Sequence, residues 1–128
     1  MHSSLLNKAF STLNNPIERG LYMLALKSID YEVAAADLGQ ESNEERQKIL
    51  LDIMELNELI DEIDEPSQVE ELEEKLSGEI EPFEKQLNEA FNLGNNEEAV
   101  RILAKMKYYK NITERLEDLK LKFDLNSF

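Results

Sequence analysis

The stretch VEELEEKLSGEIEPFEKQLNEA, residues 69–90, decides the fold. Its apolar residues Val69, Leu72, Leu76, Ile80, Phe83, Leu87 and Ala90 follow one another at intervals of three or four through six successive steps. That interval matches the turn of an α-helix, so the side chains form one stripe, the mark of a helix packed lengthwise on its neighbours. Gly78 and Pro82 lower helix propensity without breaking the phase, which predicts one kinked helix and not two independent ones. Gly94 closes it as a left-handed cap.

Working outward, Asn95 with Glu98 opens a last helix that runs to about residue 123 on a seam of Ala99, Ile102, Met106, Tyr109, Thr113, Leu116 and Phe123. Upstream, Ser42 with Glu45 forms a capping box that starts a helix ending near Asp64. Pro66 separates it from the central helix, which begins near Ser67. Short connections at Glu65–Pro66 and Gly94–Asn95 set neighbouring helices antiparallel. Further upstream, residues 3–13 carry Leu6, Phe10 and Leu13 on one face, and Asn14-Asn15-Pro16 stops that helix. Residues 17–29 form the next helix, apolar on much of its circumference (Leu21, Tyr22, Met23, Leu24, Ala25, Leu26), so something must cover it. Asp30 to Ser42 reads as a linker with one loose turn through residues 33–36. The expected fold class is all-α, an antiparallel three-helix bundle in residues 43–128 joined through a linker, 31–42, to two short helices in residues 1–30.

Composition narrows the function. Acidic residues number 28 against 14 basic ones, a formal charge of −14. Binding nucleic acid requires neutralising phosphates with Lys and Arg, and anionic lipid repels such a chain, so neither is expected as a partner. A protein with a basic patch is attracted instead. There are no cysteines, which removes disulfides, thiolate metal sites and cysteine nucleophiles. The single histidine, His2, sits beside the first methionine, a poor place for catalysis. Charges break every apolar stretch, so no segment can span a bilayer, and residues 1–10 show neither a signal-peptide nor a transit pattern.

The enzyme readings fail in turn. Gly-rich phosphate loops, G-x-S-x-G and paired metal-binding histidines are absent. The acidic runs at residues 61–65 and 70–74 lack the glycine and alternating oxygens of a calcium loop and read as solvated helix faces. A di-iron bundle needs Glu-x-x-His motifs, which one terminal histidine cannot supply. No catalytic residue, metal or cofactor is expected.

The helix from Ser42 to Asp64 carries more apolar residues than one seam requires. On a helical wheel Ile49, Ile53, Leu56, Ile60 and Ile63 fall within roughly 40° of one line. Leu50, Met54 and Leu51 lie roughly 100°, 140° and 200° away, among Glu55, Glu58, Asp61 and Glu62. An apolar cluster rimmed by carboxylates is what a protein-docking patch looks like. The alternative is that the helix at residues 17–29 covers the cluster, or that a second copy does. Tyr108, roughly 120° off the seam of the last helix, is positioned to border the patch if those two helices lie side by side.

Three stretches resemble a known family. FSTLNNPIERGLYMLAL (10–26), with Pro16, Arg19, Gly20, Tyr22, Leu24 and Leu26, is similar to the end of the J-domain in HscB co-chaperones. LLDIMELNELIDEI (50–63) resembles the opening helix of their C-terminal domain, and EEAVRILAKMKYYKNI (97–112) resembles their last helix. The resemblance implies a co-chaperone of iron–sulfur cluster biogenesis that binds an IscU-type scaffold protein and presents it to a DnaK-type chaperone, stimulating its ATP hydrolysis. The scaffold-contact positions it implies are Leu50, Leu51, Met54, Glu55, Glu58, Glu62 and Tyr108. It also implies the mitochondrial matrix, with the bacterial cytoplasm as the alternative. The His-Pro-Asp loop through which a J-domain acts is missing, and the chain begins inside what would be the third J-domain helix. Two expectations follow: a fragment of a full co-chaperone, or a shortened protein that binds scaffold without activating the chaperone. The other reading is a structural helical bundle or homodimer with no chaperone role.

Overall fold

The computed structural model describes residues 4–39 and 44–126; for residues 4–12, 38, 39, 45, 125 and 126 it describes the backbone alone. Six helices follow in order: α1 (Ser4–Leu26), α2 (Tyr31–Gly39), α3 (Glu44–Asp61), α4 (Pro66–Ile80), α5 (Phe83–Asn92) and α6 (Asn96–Asn126), with no strand among the described residues. The protein is an all-α bundle. The Ser42–Glu45 capping box, His2, the expected start at Ser3 and the Leu6 and Phe10 side chains lie outside the described residues.

Helix α6 is the axis. At 31 residues it is roughly 46 Å long, and each of the other five helices packs against it. Asn95 Oδ1 accepts from the Glu98 backbone N–H at 3.1 Å and caps its start, as the sequence implies. The seam is broader than one stripe: Val100, Leu103 and Ile112 are buried beside Ala99, Ile102, Met106, Tyr109, Thr113 and Leu116. A helix with neighbours on several sides needs apolar residues around more of its circumference.

Where the sequence predicts two helices before residue 30, the structure has one. Pro16 lies inside α1 and is buried. An interior proline costs about 3 kcal/mol. Leu13, Ile17 and Leu24 continue one buried row across it, each contributing about 1.5–3 kcal/mol when fully covered, so burial outweighs the break. Helix α1 runs antiparallel to α6 and packs on α4, α5 and α6, which buries Leu24 and partly covers Leu21 and Met23 but leaves Tyr22, Ala25 and Leu26 exposed. A Cβ on Gly20 would lie 2.8 Å from Leu103 Cδ2, so any side chain here would force the Leu103 methyls to shift. Two residues past the end of the helix, Ser28 has a left-handed φ of 60°; Ile29 N–H donates to Leu24 O and Ser28 N–H to Ala25 O, both at 2.9 Å.

The predicted loose turn is a full helix. Asp30 Oδ1 accepts from the N–H groups of Glu32 at 2.9 Å and Val33 at 3.3 Å, capping α2. Tyr31, Ala34 and Ala35 then pack against the core.

The single kinked helix of the sequence reading is α4 and α5, separated by Glu81 and Pro82, both in right-handed helical conformation. Pro82 has no N–H to give, so the ladder lapses while the direction survives. Val69, Leu72, Leu76, Ile80, Phe83, Leu87 and Ala90 are all buried, in phase across the step. Pro66 takes the first helical position of α4, and Gln68 Oε1 accepts from Glu65 N–H at 2.9 Å. Gly94 (φ 70°) closes α5, with Asn95 N–H on Ala90 O at 2.9 Å and Gly94 N–H on Phe91 O at 3.0 Å.

Candidate docking face

Helix α3 presents its expected inner line to α6. Leu56 and Ile60 are buried, Ile53 and Ile63 pack partly against the core, and Ile49 is half-buried. The helix is held from outside by Arg115 of α6, whose Nη1 donates to Asn57 Oδ1 at 2.6 Å while Nη2 pairs with Asp61. Beneath it, burial first and then the charge and hydrogen bond of Glu79, with Asp52 beyond, push the Tyr109 hydroxyl well above the usual tyrosine range. The Phe83 ring meets Tyr109 edge-on, centroids 5.2 Å apart.

The outer line is uncovered. Leu51 is 64% exposed and Met54 58%, and Glu55, Glu58 and Glu62 are exposed around them. Helix α1, the element expected as a possible cover, spends its apolar face on α4, α5 and α6 instead. Leu50 turns toward α6. It lines a groove of about 920 Å³ bounded by α2, α3, the end of α5 and α6, and Tyr108 lines the same groove at 39% exposure. Leu50 and Tyr108 thus line one groove, which continues from the α3 patch.

The sequence reading missed the groove because it missed α2. Tyr31 forms part of its wall, and Lys107 Nζ sits 4.5 Å above the Tyr31 ring centroid and 3.7 Å from Glu32 Oε1. Burial, then the Glu32 carboxylate and neighbouring Tyr108, push the Tyr31 hydroxyl up to about 12. The capping aspartate at position 30 followed by Tyr31, Ala34 and Ala35 is the signal that would have found it.

Among the described residues no group of three His, Cys, Asp or Glu is arranged to hold a metal ion, and no helix is long and apolar enough to cross a membrane.

Helix α3 of this all-α bundle thus carries an uncovered apolar row edged by carboxylates. Sequence comparison points to one family. A family model described as the HSCB C-terminal oligomerisation domain matches residues 45–117, and the chain belongs to the HscB family. The iron-sulfur cluster co-chaperone protein HscB of Mus musculus is 34% identical over 116 residues, and that of Homo sapiens 35% over 122; each match covers 91% of this chain and 47% of the relative. The mitochondrial J-type co-chaperone JAC1 of Saccharomyces cerevisiae is 28% identical over 117 residues, 91% of this chain and 62% of that protein. The chain thus spans about half the length of the mouse and human relatives. No solved structure matches it.

Proposed function

We propose that this chain acts in iron–sulfur cluster biogenesis as the scaffold-binding part of a co-chaperone. It binds an IscU-type scaffold protein on the outer face of α3 and presents it to a DnaK-type ATP-dependent chaperone. Leu50, Leu51 and Met54 form the apolar anchor, and Tyr108 extends it. Glu55, Glu58 and Glu62 meet basic residues of the scaffold, fixing orientation and association rate more than affinity. The exposure of Leu51 and Met54 on the face of α3 that no other helix covers is the observation that carries this reading.

The role is capture, and no chemical step is assigned to any residue. Stimulation of chaperone ATP hydrolysis, expected of the family, depends on a His-Pro-Asp tripeptide that this sequence lacks, so the reading gives these residues the docking step alone. Residues 1–30 form the end of a J-domain, 31–42 the join and 43–128 the scaffold-binding part, and the place of action is the mitochondrial matrix; the yeast relative is a mitochondrial protein.

Calorimetric titration with an IscU-type scaffold tests it. Leu50→Ala with Met54→Ala costs about 2–4 kcal/mol of binding and leaves the helical spectrum unchanged. Unchanged affinity in that variant refutes the assignment. The word oligomerisation in the family description favours a second reading, self-association through the same face. Concentration-dependent sedimentation that Met54→Lys abolishes would establish it.

A further inference from the structure

On helix α3 every fourth residue falls on one ridge. The ridge through the docking face reads Arg46, Leu50, Met54, Glu58, Glu62. It is basic at one end, apolar in the middle and acidic at the other, over about 24 Å. Helices α3 and α6 run parallel, with Arg115 meeting Asn57 and Asp61 at one end and Tyr108 sharing the groove with Leu50 toward the other. The basic end of the ridge therefore faces the α6 residues that border the groove.

The charge of that groove departs from the rest of the molecule. Its walls carry four cationic side chains, Arg46, Arg101, Lys105 and Lys107, against three carboxylates, Glu32, Glu89 and Glu98. The whole chain has two acids for each base. Lys107 is held in place there, its ammonium over the Tyr31 ring and its nearest anion on Glu32, a side chain 82% exposed and therefore a weak competitor. Ala35, Ala36 and Ala104 add small apolar wall, leaving room for a side chain or a turn of backbone.

We propose that the docking face extends past Leu50 and Tyr108 into this groove, which takes an acidic segment of the same partner protein, its carboxylate on Lys107. The inference rests on the docking reading above and adds polarity to it. The partner surface must carry basic residues on one side of its apolar centre and a carboxylate on the other, and only one orientation along α3 satisfies both. Reversal would set carboxylates against Glu58 and Glu62, and such mismatches exclude wrong poses.

The test uses the full chain and an IscU-type scaffold in calorimetry, with three variants. Lys107→Glu weakens binding roughly tenfold at low salt, and the difference shrinks as ionic strength rises. Ala36→Trp, at an exposed position of α2, fills the groove and weakens binding without changing charge. Leu50→Ala with Met54→Ala reports on the α3 patch. Loss in all three, with unfolding midpoints near that of the parent, supports the extended face. If only the Leu50/Met54 variant loses affinity, docking stops at α3 and the groove proposal is overturned. If none does, the docking reading itself fails and takes the groove with it.

Discussion

Lys120 Nζ lies 2.9 Å from Glu73 Oε1, joining α6 to α4 around a carboxylate whose side chain is only 5% exposed. Lys120 is 23% exposed, so the pair sits at the margin of the core and keeps part of its attraction despite water nearby. Lys120→Ala leaves Glu73 buried without that ammonium and costs about 1–3 kcal/mol in urea unfolding. The double change Glu73→Leu with Lys120→Met recovers most of the loss, because the buried carboxylate is then gone. A single variant as stable as the parent would show that the pair contributes nothing.

Gly20 sets the spacing of α1 on α6. Its absent Cβ would stand 2.8 Å from Leu103 Cδ2 and 3.2 Å from Leu87 Cδ2, both on buried side chains. Gly20→Ala gains up to about 1 kcal/mol of helix propensity and loses a similar amount to crowding, so its midpoint barely moves. Gly20→Leu has no such offset and destabilises by about 1–3 kcal/mol. Thermal melts of the two variants separate these outcomes.

Two helices end on left-handed residues, one suited to the conformation and one not. Ser28 has φ 60° and Gly94 φ 70°. Left-handed backbone costs an L-residue roughly 1 kcal/mol. Ser28→Gly therefore stabilises the protein and Gly94→Ala destabilises it, each by roughly 1 kcal/mol in denaturant unfolding.

Charge reversal at the rim changes kinetics first. Glu58→Lys with Glu62→Lys is expected to slow association with the scaffold several-fold at low salt, with the dissociation rate little altered. Stopped-flow traces at two ionic strengths check this; a change confined to dissociation would mean that these carboxylates are covered in the complex.

Alkaline pH acts through Tyr31. Its hydroxyl is raised to about 12 from 10.0, so between those values the folded state keeps a proton that the unfolded state has lost. Stability is complete below about pH 10 and falls as pH climbs towards 12, and Tyr109, shifted in the same direction, adds to the fall. Tyr31→Phe lessens the slope. Parallel titration by tyrosinate absorbance and by helical signal tests the link.

Much of this was legible in the sequence because helix periodicity survives local interruptions. The stripe from Val69 to Ala90 stays buried as a unit although Pro82 divides it, and Leu56 and Ile60 face inward where the wheel puts them. Local breakers misled in the other direction. Pro16 reads as a stop, yet the row Leu13, Ile17, Leu24 keeps α1 continuous across it, a tertiary effect that propensity cannot register. The wheel separates Leu51 and Met54 from the core and the structure leaves them exposed, but it has no means of showing a groove. That feature depends on α2, a nine-residue helix whose signals were a capping aspartate and three alanines.

Helix α6 follows, in chain order, every element that leans on it. During synthesis at about 5–20 residues per second, the ribosome needs roughly 2–6 s to add its 31 residues. Through that interval the earlier helices lack the partner they share, although α1 can already meet α4 and α5; Lys27, for one, finds Asn96 only 69 positions later. The nascent polypeptide therefore leaves the tunnel with the apolar faces that await α6 still bare, an interval in which it is open to aggregation.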